Sequence, residues 1–213
     1  MAAYDLEEQE QIAAIKEWWE KYGNYVTTAI TVVCVIIIGW QGWRYYQNSQ
    51  SSQAGVLYAA IEQSLQKNES APAQDAAEQL GSKFGGTGYA PRGMLLAAKL
   101  AFDTGDRATA KKRYQWVIDH ASEDELKQVA RLRLATVLLD EKQYDPALQM
   151  LDAKHDDAMD GLYSDLKGDI LVAAGKNAEA KAAYQSAVSK IDAKSPYRNY
   201  VQVKLEALGG GTP

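Results

Sequence analysis

A chain of 213 residues with 46% hydrophobic and 24% charged residues can bury a core, and a formal charge of −5 with no basic stripe excludes nucleic acid as a partner. The single cysteine, Cys34, lies in an apolar run, so the rest of the chain offers neither a disulfide nor a cysteine nucleophile.

Most of the charge sits at the start: residues 1–24 carry six acids against Lys16 and Lys21, and the remainder is nearly neutral. Within LEEQEQIAAIKEWWEKYG, the residues Leu6, Ile12, Ile15, Trp18 and Trp19 predict a short amphipathic helix at a membrane surface. Residues 25–43, YVTTAITVVCVIIIGWQGW, contain no charge and as a helix rise about 28 Å, the depth of a hydrocarbon core. Trp18, Trp19 and Tyr22 lie before this span, and Trp40, Trp43 and Tyr45 at its far end, where headgroups favour amphipathic rings. A cleaved signal peptide has a shorter apolar stretch and a small-residue cleavage site, whereas WQGWRYYQ follows here, so an uncleaved anchor in the lipid bilayer is expected. Lys16 and Lys21 against Arg44 lean toward a cytoplasmic N-terminal segment, residues 1–24, and an exported C-terminal domain. A thiol-free domain leans the same way.

Residues 44–52, with much of the polar run QNSQSSQ, read as a linker to a helical domain over 53–208. Residues 53–84 are expected to form a hairpin: Leu57, Tyr58, Ile61 and Leu65 stripe one helix, SAP opens a second carrying Ala76, Ala77, Leu80 and Phe84, and GGTGYAPRG breaks the pattern. A period then recurs: Gly105, Ala110, Tyr114, Val117; Lys142, Ala147, Leu151; Gly175, Ala180, Tyr184, Ala187. Ala98, Ala135 and Gly168 stand seven residues upstream of each unit's first member, so small residues are expected where paired helices cross. Tyr114, Leu151 and Tyr184 are expected to pack against the following hairpin. Tyr197, Val201, Leu205 and Leu208 predict a terminal capping helix, and residues 209–213 a disordered glycine tail.

The patterns G-D-x-x-x-A-x-x-x-Y and G-x-x-x-x-A-x-x-x-Y resemble tetratricopeptide repeats, with Lys142 standing where glycine is usual and no first-helix tryptophan. The fold expected is all-α: one N-terminal transmembrane helix followed by a tetratricopeptide-like α-solenoid. Over nearly its whole length, through EWWEKYGN, GWRYYQ, AKLAFDTGD and LKGDILVAAGKNAEAKAAYQSAV, the chain resembles the YfgM family of bacterial envelope proteins. That resemblance implies a bacterial inner-membrane protein with a periplasmic repeat domain. It implies an ancillary subunit of the SecYEG translocon, working with the membrane-anchored periplasmic chaperone PpiD.

Chemistry is sparse. His120 and His155 lie in polar segments, Asp156, Asp157 and Asp160 around the second lack an ordered ligand loop, and Glu123, Asp124 and Glu125 read as helix-start acids, with Ser122 and Glu125 forming a capping box. Neither phosphate loop, dinucleotide fingerprint nor nucleophile elbow occurs, so no enzyme and no cofactor or metal is expected. Function must come from a surface. First helices of successive hairpins line a concave face, and the register places Arg92, Lys99, Phe102, Leu132, Thr136, Leu139, Asp165 and Asp169 on it as candidates for a partner groove. Leu132 and Leu139 belong to a stripe that ordinarily packs in a core, while Arg92, Lys99, Asp165 and Asp169 are expected to be exposed. The leading reading is a non-enzymatic interaction subunit that binds chaperones or exported polypeptides. A tethered scaffold for another envelope machine and a direct holder of unfolded clients are the alternatives.

Overall fold

The computed structural model describes residues 2–209, with side chains from residue 8 onward; residues 210–213 of the expected tail lie outside them. Among the described residues there is no strand. The helices are α1 (Ala2–Lys67), α2 (Ser70–Phe84), α3 (Tyr89–Asp103), α4 (Arg107–His120), α5 (Asp124–Asp140), α6 (Tyr144–Leu151), α7 (Asp160–Ala173), α8 (Asn177–Lys190) and α9 (Pro196–Ala207), with one 3-10 turn at Asp157–Met159. The chain divides into two compact units, Met1–Gln50 and Ser51–Pro213.

The first unit is α-helical throughout its described residues. The amphipathic segment before the span is part of α1, and so are residues 44–52, read from the sequence as a linker, within which the boundary between the two units falls. Neither glycine nor proline occurs between Arg44 and Ala54, and a helix propagates through Asn, Gln and Ser at small cost once flanked on both sides. Within the span, the hydroxyls of Thr27, Thr28 and Thr31 donate to the carbonyls of Gly23, Asn24 and Thr27 at 2.9, 2.7 and 2.8 Å, so none needs water.

The second unit is a stack of hairpins built on one repeated turn. At Gly105 (φ 86°) the amide bonds back to Phe102 O at 3.0 Å and the next amide, of Asp106, to Ala101 O at 2.8 Å. Lys142 (φ 60°) and Gly175 (φ 77°) repeat both bonds, to Leu139 and Leu138 and to Val172 and Leu171. This is the Schellman helix end, whose pivot must be left-handed. Asn68 (φ 56°) makes the same pair, to Leu65 at 3.2 Å and, through Glu69, to Ser64 at 2.9 Å. The end of α1 and α2 therefore form a further hairpin in register, with Ala73 in the place of Ala110, Ala147 and Ala180. Asparagine tolerates left-handed φ, which hides this turn from a search for glycine.

Small residues let the helices meet: Ala73, Ala98, Ala110, Ala135, Ala147 and Ala180 are all fully buried. Gly168 is the tightest case in the last hairpin, since a Cβ there would lie 2.3 Å from Cε1 of Tyr184. Tyr184 thus packs on the first helix of its own hairpin, not only toward the next one, which corrects the expectation. Gly93 plays the same part against Leu80 and Ile61. The break before α3 is shorter than expected: residues 85–88 alone are non-helical, because Pro91 sits in the first turn of α3, where its missing N–H is no loss. The Ser122–Glu125 capping box does not form. Glu123 is the N-cap of α5 without a side-chain cap bond, its carboxylate being engaged by Arg92.

Hairpins are also tied by polar contacts. The guanidinium of Arg113 on α4 is buried and donates to Glu78 Oε2 (2.9 Å), Gln74 Oε1 (3.2 Å) and Gln74 O (3.2 Å) on α2. Lys111 pairs with Glu141 at 2.6 Å, and Arg107 with Asp140.

Candidate partner groove

Positions ten and six residues before each turn residue fall on one helical face, and on α5 and α7 that face carries Leu132 and Thr136, then Asp165 and Asp169. These four come together. They line a groove of about 370 Å³, to which α5 adds Arg133, α7 adds Leu162 and Leu166, and α9 adds Tyr197.

The other candidates lie elsewhere. Arg92 lines a separate hollow of about 290 Å³ with Ser51, Gly88 and Tyr89, and its guanidinium forks onto Glu123 at 2.9 and 2.6 Å. Lys99 is exposed and pairs with Asp103. Phe102 and Leu139 pack partly buried against the core, as a leucine stripe should. Leu132 does both, packing on the core while lining the groove.

Asp165 departs from expectation. It is buried, not exposed, because α9 covers it: Tyr197 Oη donates at 2.5 Å and Lys204 Nζ reaches both carboxylate oxygens at 3.0 Å. Lys204 also reaches both oxygens of Asp169 at 2.8 Å, and Tyr184 Oη donates to Asp169 at 2.7 Å. Burial works against the charge on Lys204, but the two carboxylates outweigh it and raise its pKa. Burial, reinforced by the carboxylates they donate to, pushes the hydroxyls of Tyr184 and Tyr197 upward too, keeping both as neutral donors. The cluster locks α9 onto α7.

The histidines have structural surroundings. His120 stacks on Trp116 at 4.6 Å, and His155 stacks on Tyr163 at 3.9 Å with its Nε2 3.1 Å from Asp160. The hydrogen bond from Lys190 holds the Asp160 carboxyl below its usual range. Among the described residues no group of three or more His, Cys, Asp or Glu side chains could hold a metal ion.

Along α1, Trp18, Trp19 and Tyr22 are exposed, as are Trp40, Trp43 and Tyr45. Tyr22 and Trp40 are about 27 Å apart along the axis at the helical rise. Arg44 lies over the Trp40 ring at 5.1 Å and Lys21 over Tyr22 at 5.4 Å, so a cation accompanies each aromatic group. Among the described residues α1 is the one helix long and apolar enough to cross a membrane, and none of its most apolar stretch is buried.

A family model described as a tetratricopeptide repeat-like domain matches residues 16–210. The chain belongs to that family. It is 29% identical over 206 residues to a protein of Aggregatibacter actinomycetemcomitans named ancillary SecYEG translocon subunit, covering 97% of this chain and 100% of the relative. A protein of the same name from Neisseria gonorrhoeae is 29% identical over 98% of this chain and 100% of its own length. The one from Escherichia coli is 28% identical over 94% and 96%. These names agree with the YfgM resemblance read from the sequence, and the fold agrees with the tetratricopeptide-like solenoid read from its period.

Sequence reasoning missed Arg133, Leu162, Leu166 and Tyr197. Leu166 stands nine residues before its turn, as Arg133 does before Lys142, so extending the register to a second row would have found both. Tyr197 was recognised only as part of a cap. Its role depends on how α9 lies on α7.

Proposed function

We propose that this protein is a non-enzymatic ancillary subunit of the SecYEG translocon, anchored in the bacterial inner membrane by α1 with residues 1–24 cytoplasmic and the repeat domain periplasmic. The observation that carries the reading is the near end-to-end similarity to proteins named for that role. On this reading the domain presents the groove on α5, α7 and α9 to a partner, either the chaperone PpiD that the family resemblance implies or an exported chain. A tether raises the effective concentration of that groove beside the membrane, so even a weak peptide site is used. Lys16 and Lys21 before the span against Arg44 after it support the orientation.

Purification of the full chain in mild detergent after crosslinking tests the assignment. Translocon and chaperone subunits are expected to co-purify. Recovery of a different envelope machine, with neither of these, would overturn it.

A further inference from the structure

Helix α1 carries one apolar row that begins well before the span. From Ile12 the row runs through Ile15, Trp19 and Tyr22 and, inside the span, Val26, Ala29, Val33 and Ile36, in alternating steps of three and four residues. Glu10, Glu17, Glu20 and Lys21 lie on the opposite side of the helix, and the polar residues Thr27, Thr28, Thr31 and Cys34 lie off the row as well. No other element among the described residues covers its outer part: Ile12 and Ile15 are 54% and 67% exposed, and the Trp19 ring lies over Gly23 of its own helix.

Lipid does not account for that outer part. α1 is unbroken from Ala2 to Lys67, so the segment before the span continues along the helix instead of turning to lie in the headgroups. At the helical rise Ile15 and Ile12 stand about 15 and 20 Å before residue 25, whereas the headgroup layer of one leaflet is about 5–7 Å deep. Both isoleucines would face water there unless a second apolar helix face covers them.

A second copy of this chain supplies that face. Insertion in one membrane makes the two copies parallel, which sets Ile12, Ile15, Trp19 and Tyr22 opposite their own counterparts. Of the flanking residues Gln11, Lys16, Trp18 and Gly23 one is charged, and Lys16 would face the neutral Gln11 of the other copy. The acids of both copies stay in water on the outer sides, where a basic partner seated on the row would not reach them. Glu8, the next position of the row, would meet the same charge on its copy, so the contact begins at Ile12.

We infer that α1 pairs with α1 of a second copy along the row from Ile12 to Tyr22, continued into the span as far as Ile36, so that the anchor delivers repeat domains in pairs. This rests on the proposed anchoring of α1 and names what covers the segment before the span.

Disulfide crosslinking of the full chain in isolated membranes tests it, with single cysteines placed one at a time on a Cys34→Ser background. Ile12→Cys, Ile15→Cys and Tyr22→Cys should give about fivefold more linked dimer than Ala13→Cys, Glu17→Cys and Glu20→Cys. Adding Ile15→Glu to the Ile12→Cys chain should cut its dimer to the level of the outer positions. Co-expression with an Ile12→Cys chain that carries Ile15→Lys should restore it, because opposite charges then meet across the row. Carbonate washing of the same membranes separates the two readings. Release of the chain overturns the anchor. Retention with dimer equal at all six positions, greatest at the outer ones, absent, or unchanged by Ile15→Glu overturns the pairing alone.

Discussion

Residues 25–43 and helix α3 are both apolar and both helical, yet their side chains have opposite destinations. In α3, Met94, Ala97, Ala98, Leu100 and Ala101 are buried against neighbouring helices, while in the span Val35, Ile36 and Ile38 stand 64–70% exposed. The repeats put Ala or Gly at each helix crossing so that backbones approach, whereas the Val and Ile side chains of the span stand exposed. On the proposed anchoring, the span is helical because lipid would leave its backbone no other partner, and α3 because tertiary packing stabilises an otherwise marginal helix.

Substitutions can break this contrast. The largest effect is expected from placing Asp at both Val33 and Ile36, at about 3 kcal/mol each for a charge near the centre of a span. Carbonate extraction should then release the chain from membranes. Val172→Asp, on the exposed surface of the repeats, should change unfolding by less than about 0.5 kcal/mol. Retention of the double variant in the membrane would contradict the reading of α1.

Next comes Lys204→Met, which strips two carboxylates of their cation and should destabilise the repeat unit by about 2–4 kcal/mol in urea unfolding. Its pH dependence carries a sign. Lys204 and Tyr114, the latter pushed up to about 12 by burial, have folded pKa values above their unfolded ones. Their contribution is complete below about pH 10 and is lost as pH rises through the folded values. Stability should therefore fall between pH 10 and 12, and less steeply in Lys204→Met. A profile flat across that window would contradict the buried cluster.

Gly168→Ala should lower the thermal midpoint by the equivalent of about 1–2 kcal/mol, because the new methyl meets the Tyr184 ring, and Tyr184→Leu in the same chain should restore part of it. Gly39→Ala, with open space around it, should leave the repeat unit unchanged. Smallest is Lys142→Gly, expected to stabilise by about 0.5–1 kcal/mol by relieving a left-handed lysine. A loss of stability there would mean that the Lys142 turn is held differently from those at Gly105 and Gly175.

The sequence reading reached the span and the repeat period because both are local patterns: a charge-free run bracketed by aromatics, and alanines at fixed distances from a turn. It did not see the helical continuity of residues 44–52, since polar composition alone does not mark where a helix ends. It placed a hairpin over residues 53–84 from its two apolar stripes, but not that hairpin's register with the later units, because Asn68 stands at its turn. At the groove, Leu132, Thr136, Asp165 and Asp169 were reachable from register alone. The burial of Asp165 was not, because Tyr197 and Lys204 arrive from α9, 32 and 39 residues away, and only the packed structure brings them there.

The claim at the centre of this account is that the α5–α7–α9 face of a membrane-tethered repeat domain meets the export machinery. A photoreactive residue at Thr136, in the groove, and another at exposed Gln115 on α4 would be compared in native membranes. Crosslinks from position 136 to translocon or chaperone subunits, with little from 115, are the predicted result. Crosslinks to them from 115 and none from 136 would contradict it.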